Sequence, residues 1–175
     1  LVEIMENDSE LGFSQCNFYP VDGDLTIKSP HYGLLDAKNA KGIEAVEWHL
    51  RNLKCNPAAI LFRMKCMKAI GLWREDYWDD WAFIIRVSYT HGFCFTPSYH
   101  SAVRDHGNNL SKVLGKEERL GGSFVLDQLF DVFGHTLPHT RKSLKLYSKY
   151  IRFLSISLFL TAVKLSLRRD SIRAY

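Results

Sequence analysis

The sequence predicts an α/β fold, and three observations lead to this prediction. The composition, 46% hydrophobic and 24% charged over 175 residues, is that of a globular domain able to bury a core. Apolar runs of strand length alternate with segments of helical period. Their order, with a strand, a short helix, a longer helix and a pair of strands, is typical of α/β proteins.

The first 28 residues predict a helix followed by two strands that are joined by a turn. LVEIMEN opens on an apolar helical period without a cap or an initiating methionine, so we expect the chain to be a piece of a longer protein. GFSQCNFYP is an aromatic-rich strand candidate, and the turn VDGD leads into a second strand, LTIK. A D-G turn explains the two aspartates of VDGD better than metal binding does.

The middle of the chain predicts a helix, a strand and a second, short helix. NAKGIEAVEWHLRNLK has apolar residues at helical spacing, so we expect one helix or two short ones, ending at Asn56-Pro57. AAILFRM has the length and composition of a buried strand. KCMKAIG then forms a short helix that Gly71 closes.

A longer helix and two strands are predicted next. DDWAFIIRVSYTHG has acidic residues in its first turn and Gly92 after its end, which is the pattern of a helix. FCFTP and SYHSAVRDH alternate in the manner of two strands. The pattern becomes helical over 113–133 and 139–170, so we expect an α/β domain at 1–112 and a helical extension at 113–175.

The C-terminal segment 141–175 is strongly basic, with nine basic residues against one acidic residue, whereas the whole chain carries a net charge of +4. This indicates a local anionic partner such as an anionic membrane surface. Nucleic acid is not expected, because the basic residues alternate with aliphatic ones. The uncharged run at 153–163 is far shorter than the roughly 20 residues of a spanning helix. A helix on the lipid surface and a helix packed on protein both remain open.

The cysteines Cys16, Cys55, Cys66 and Cys94 are widely spaced and form no C-x-x-C pair. This spacing favours free thiols over a zinc site or a disulfide framework. We expect Cys66 and Cys94 to be buried. Free thiols favour a reducing cytosolic compartment. No secretory signal pattern is present. We therefore expect a cytoplasmic protein, with a peripheral place on the inner face of the membrane left open.

Chemically reactive side chains are concentrated in residues 73–111. Asp79 and Asp80 start a predicted helix, where they are either capping residues or include a general base. His106 follows a predicted strand, where it either binds a divalent metal or bonds to the local backbone. Trp78 and Trp81 flank the acidic pair and either stack on a sugar ring or pack in the core.

The motifs NPAAILFRMKCMKAIGLW, DDWAFIIR and SAVRDHGNNLS occur in this order over residues 56–111. Together they resemble the second half of the catalytic domain of a family 2 glycosyltransferase, which has the GT-A fold. Residues 1–28 are similar to the segment that follows the metal-binding D-x-D of that family. The resemblance therefore implies a partial GT-A domain that lacks the N-terminal nucleotide-binding units and the D-x-D.

Transferred residue by residue, this resemblance implies roles for five side chains. Asp80 would be the catalytic base and Asp79 its acidic neighbour. Trp81 and Trp78 would line the acceptor site, and His106 would help to hold a divalent metal, Mg or Mn. Arg63 and Arg104 match family positions without an assigned role.

The activity implied by the resemblance is transfer of a sugar, with inversion, from a nucleotide-sugar donor to a hydroxyl group of a glycan, a polysaccharide or a lipid-linked acceptor. The donor-binding half is missing, so the chain by itself is expected to be inactive. Two alternatives remain: a non-catalytic membrane-binding or assembly module that uses the basic segment, and a metal-dependent phosphoesterase suggested by the acidic pair and DHGNN.

Overall fold

A computed structural model describes residues 1–28, 33–52, 56–71, 79–106, 133–134, 137–138, 140–152 and 155–156. The chain divides into two compact units, Leu1–Glu118 and Arg119–Tyr175.

The first unit contains the α/β part of the chain. Its helices and strands are, in chain order, α1 (Val2–Asn7), β1 (Phe13–Val21), β2 (Lys38–Ala40), α2 (Ile43–Asn52), β3 (Ile60–Phe62), α3 (Met64–Ile70), α4 (Asp79–His91) and β4 (Phe93–Arg104). A short 3-10 turn, Pro57–Ala59, precedes β3 and is capped by the Asn56 side chain.

Four strands form one mixed sheet in the order β2-β4-β1-β3. The two central strands, β1 and β4, are parallel. The short strands β3 and β2 are antiparallel to β1 and β4, respectively. The predicted α/β class is therefore confirmed as a mixed four-stranded sheet with helices.

The core of this unit lies where α4 crosses the first residues of the central strands. Phe83, Ile84 and Val87 of α4 are fully buried together with Phe13 and Phe93 of the sheet. Burying each such side chain contributes about 1.5–3 kcal/mol. Gly12 permits this packing, because a Cβ atom there would lie 2.5 Å from Val87 Cγ1.

Several predicted elements are confirmed. The helix at the N-terminus, the strand in GFSQCNFYP, the strand in AAILFRM and the helix beginning at Asp79 all form. Gly71 and Gly92 follow α3 and α4 with φ angles of 90° and 86°, which favour glycine.

Three predictions are wrong in detail. The start of NAKGIEAVEWHLRNLK is strand β2, because Ala40 pairs with Phe93 before α2 begins. The predicted pair of strands after α4 is the single strand β4, in which a register shift accommodates Pro97: Cys16 pairs with Thr96 and the next residue, Asn17, with Tyr99. The segment LTIK forms only one bridge, from Ile27 to Val21.

In the second unit, residues 141–152 form a helix, called here the C-terminal helix. Thr140 and Ser143 cap its start reciprocally: Ser143 N donates to Thr140 Oγ1 at 3.2 Å, and Thr140 N donates to Ser143 Oγ at 3.0 Å. This helix agrees with the first part of the helix predicted over 139–170. Among the described residues, no helix is long and apolar enough to cross a membrane.

Several predictions fall outside the described residues. They concern Cys55, Trp78, the helix at 113–132, residues 157–175, and the last part of the R-x-H-x-x-N-x-S motif, with Asn109 and Ser111.

Candidate functional site

The acidic pair lies where the sequence places it, at the first turn of α4. Asp79 is the first residue of the helix, and Asp80 is only partly exposed. The carboxylate oxygen Oδ1 of Asp80 accepts a hydrogen bond from Trp81 N at 2.7 Å. The free N–H groups and the dipole of a helix N-terminus stabilise negative charge at this position.

Trp81 follows the acidic pair and is half-buried. Its Nε1 atom is buried, and no described residue accepts a hydrogen bond from it. A buried indole N–H normally has a partner. Trp81 therefore exposes part of its ring to a ligand, whereas its indole N–H is turned away from solvent.

Arg86 lies two turns after Asp79 on α4. Its guanidinium carbon is 5.9 Å from the centre of the Phe83 ring, so the cation rests on a core aromatic side chain. This contact is a structural one, between Arg86 and an aromatic side chain of the core.

His106 lies in the segment that leaves β4 at the carboxyl end of the two parallel strands. Asp105 N donates to Val21 O, and Lys28 Nζ donates to Asp105 O at 2.8 Å, which holds this segment on the end of β1. His106 is exposed. The carboxyl ends of parallel strands are the usual place for ligand binding in α/β sheets.

Asp22, in the turn beside this segment, acts as a turn residue. Its Oδ1 atom accepts hydrogen bonds from Asp24 N at 3.0 Å and from Thr26 N at 2.9 Å. The sequence interpretation of VDGD as a turn is therefore confirmed.

The acidic pair and His106 are held by different parts of the sheet. Phe83, one turn after Asp80, packs with a ring distance of 5.7 Å on Phe62, which pairs with Phe13 at the amino end of β1. His106 follows the last pair of the parallel strands, at the carboxyl end of β1. Convergence of the two side chains on one substrate stays a prediction.

The described residues supply one candidate metal ligand rather than a complete metal site. Within the part of the chain that the structure describes, no group of three or more His, Cys, Asp or Glu side chains is arranged to hold an ion. The imidazole of His106 is of a suitable type for a divalent metal, but further ligands are required. A D-x-D from outside this chain would supply them under the glycosyltransferase hypothesis.

Arg63, to which the sequence assigns no role, is a structural residue. Its Nε donates to Leu11 O at 2.9 Å, and its Nη2 donates to Asp8 O at 3.0 Å and to Met5 O. The guanidinium thus satisfies carbonyl groups at and after the C-terminal end of α1, where a cation is favourable. In the sequence, the only signal for this structural role was the position of Arg63 directly after an apolar strand.

Asn17 is a buried polar residue that the sequence analysis did not identify. Its Nδ2 donates to Leu34 O at 2.9 Å and to Pro97 O at 2.7 Å, and its Oδ1 accepts from Leu34 N at 3.0 Å. Asn17 therefore ties the segment before β2 to the irregular part of β4. The available signal was an amide side chain within a predicted buried strand, because a buried amide needs hydrogen-bond partners.

His49 lies in the core and not in a site. It is completely buried, and its ring lies 4.4 Å from the ring of Phe93 and 5.8 Å from that of Phe13. Burial lowers the pKa of His49 to about 3, so the imidazole is neutral near pH 7.

Three cysteines of the first unit, Cys16, Cys66 and Cys94, are free thiols in the described part of the chain. Cys16 and Cys66 are buried free thiols, as expected for Cys66. Cys94 is only half-buried, which corrects the prediction that it is buried; burial still raises the pKa of its thiol. Its position on the alternate face of β4 explains the difference, since Phe93 and Phe95 point into the core.

Comparisons with protein families, with characterised proteins and with solved structures find no match to this chain.

Proposed function

We propose that this chain carries part of the catalytic domain of an inverting glycosyltransferase. The observation that carries the proposal is the place of Asp80, in the first turn of a helix that packs on a mixed α/β sheet. The other motifs of the resemblance also lie at element boundaries: LFR spans the end of β3, Gly71 follows α3, and R-x-H begins at the last residue of β4.

Asp80 has the chemistry of a general base. A carboxylate provides about four lone-pair positions, so the hydrogen bond from Trp81 N does not prevent it from accepting a proton. In the proposed reaction the acceptor hydroxyl loses its proton to Asp80 as its oxygen attacks the anomeric carbon. The bond from that carbon to the nucleoside diphosphate breaks, and the configuration inverts. Asp79 is its acidic neighbour in the sequence.

The acceptor would lie against Trp81, with Trp78 as a second aromatic residue. The half-buried ring of Trp81 offers an apolar surface on which a sugar ring can stack. The acceptor class is a glycan, a polysaccharide or a lipid-linked hydroxyl.

The donor is a nucleotide sugar, and a divalent metal, Mg or Mn, would neutralise the leaving diphosphate when bound. His106 is the candidate ligand from this chain. The remaining ligands and the nucleotide-binding residues belong to the half of the domain that the resemblance places before Leu1. We therefore expect no nucleotide-sugar turnover by the 175 residues alone.

The test uses the protein with its donor-binding half. Asp80→Asn keeps the shape of the side chain and removes its basicity, so we expect transfer to fall by about 10²–10⁴-fold, the usual contribution of general base catalysis. Asp36→Asn, at an exposed position before β2, is the matched control and should leave transfer unchanged. Thermal unfolding of both variants should match the parent protein. Retained transfer in Asp80→Asn would exclude Asp80 as the base.

A further inference from the structure

One face of the C-terminal helix carries five exposed cations. They are Arg141, Lys142, Lys145, Lys149 and Arg152. At 3.6 residues per turn, these positions fall within a sector of about 100° around the helix axis. No aspartate or glutamate occurs between residues 141 and 156, so no acid on this helix neutralises the face.

The opposite side of the helix is already packed. Ser143, Leu146 and Tyr150 are buried, and the ring of Tyr147 contacts that of Phe133 at 5.0 Å. Two of the hypotheses for this segment, a helix on lipid and a helix packed on protein, are therefore not exclusive. The buried side includes a contact with Phe133 of the same unit, and the cationic face (the five residues above) is exposed.

We infer that the cationic face binds the surface of a bilayer that contains anionic phospholipids. Basic residues close to such a surface are attracted by its negative potential. Leu144, 51% exposed, lies on the helix beside the cationic face, and Ile156, 55% exposed, lies one turn beyond Arg152. Exposed aliphatic residues next to cations are typical of surfaces that lie on lipid headgroups.

Nucleic acid fits this face less well. Single-stranded nucleic acids bind through aromatic side chains on which the bases stack, and both tyrosines of the helix are directed to the packed side. The inference also does not depend on the glycosyltransferase proposal, because it rests only on the second unit.

The first measurement is co-sedimentation of the complete chain with lipid vesicles. We expect binding to vesicles with one third phosphatidylglycerol in phosphatidylcholine, and none to phosphatidylcholine alone. Binding should weaken strongly as salt rises, because the Debye length falls from about 10 Å at 0.1 M to about 3 Å at 1 M. Equal binding to both kinds of vesicle would overturn the inference.

The second measurement compares two triple variants that lose the same charge. The first variant removes three cations of the cationic face through Lys142→Gln, Lys145→Gln and Arg152→Gln. We expect its binding to anionic vesicles to fall about 100-fold. The control variant removes three exposed cations of the first unit through Lys41→Gln, Lys65→Gln and Lys68→Gln. We expect its vesicle binding to change less than threefold. Circular dichroism checks that both variants keep their helix content.

Two outcomes of this comparison would contradict the inference. Equal losses of vesicle binding in the two variants would show that binding depends only on the net charge of the chain. Tighter binding of the chain to double-stranded DNA than to anionic vesicles at the same salt concentration would assign the face to nucleic acid instead.

Discussion

Helix α4 and the C-terminal helix both follow apolar patterns in the sequence, but they meet their surroundings differently. In α4, Ala82, Phe83, Ile84 and Ile85 are four consecutive residues with no exposed surface, so protein surrounds this part of the helix. In the C-terminal helix only the positions of one side are buried, and cations occupy the other. The difference shows that α4 belongs to the core of its unit, whereas the C-terminal helix presents a surface.

The largest expected effect follows from the burial of α4. Phe83→Ala removes a ring that packs on Phe62 and should lower the free energy of unfolding by about 3–5 kcal/mol, through lost burial and the cavity left behind. Urea denaturation followed by fluorescence measures this change. Leu144→Ala, on the exposed side of the C-terminal helix, is the control and should change it by less than about 0.5 kcal/mol. Similar losses in both would contradict the contrast between the two helices.

The second prediction concerns charge: the core keeps His49 neutral, whereas the C-terminal helix carries exposed cations. The folded state lowers the pKa of His49 from 6.5 to about 3, so the unfolded chain binds a proton that the folded chain does not. Stability that is present above pH 6.5 should therefore be lost as the pH falls towards 3, by up to about 1.4 kcal/mol per pH unit.

Urea denaturation at a series of pH values tests this prediction. In His49→Gln, the free energy of unfolding should depend clearly less on pH between pH 6 and pH 4. This holds whatever the effect of the substitution on stability at pH 7. Asn39→Gln, which changes an exposed residue of β2 that does not titrate, should leave the pH dependence of the unfolding free energy as it is. An unchanged slope in His49→Gln would contradict burial of the neutral imidazole.

The smallest expected effect concerns the start of the C-terminal helix. Thr140→Ala removes one side of its reciprocal cap, so the second unit should lose about 1 kcal/mol of stability. Amide hydrogen exchange can follow residues 141–152 separately from the first unit. Faster exchange confined to these residues is expected, and Thr140→Ser, which keeps the capping hydroxyl, should restore slow exchange.

Local patterns predicted several elements of the first unit correctly. The helix from Asp79 to His91 could be read from acidic residues at its start and Gly92 after its end, because these signals act within one turn of the helix. The strand β2 could not be predicted, since Lys38–Ala40 is extended only because it pairs with β4, more than fifty residues later. Pro97 suggested a break between two strands, yet a register shift keeps β4 continuous.

In the candidate site, too, features that depend on neighbouring residues were predictable, and features that depend on distant contacts were not. The place of Asp80 in a first helical turn was predictable, because the capping preference of acidic residues is local. The hydrogen bonds of Arg63 to three carbonyl groups around α1 were not, because they join residues more than fifty positions apart. Whether Asp80 and His106 act on one substrate depends on such distant contacts.

By itself, the sequence determined the α/β class, most helix and strand positions, the acidic start of α4 and the cationic composition of the C-terminal segment. These depend on side-chain period, capping and charge, which are properties of neighbouring residues. The tertiary structure decided that the sheet is mixed, that β4 is one strand, that His49 is neutral, and that the apolar side of the C-terminal helix is buried while its cations stay exposed. Each of these depends on which distant segments pack together, and a pattern of neighbouring residues does not contain that information.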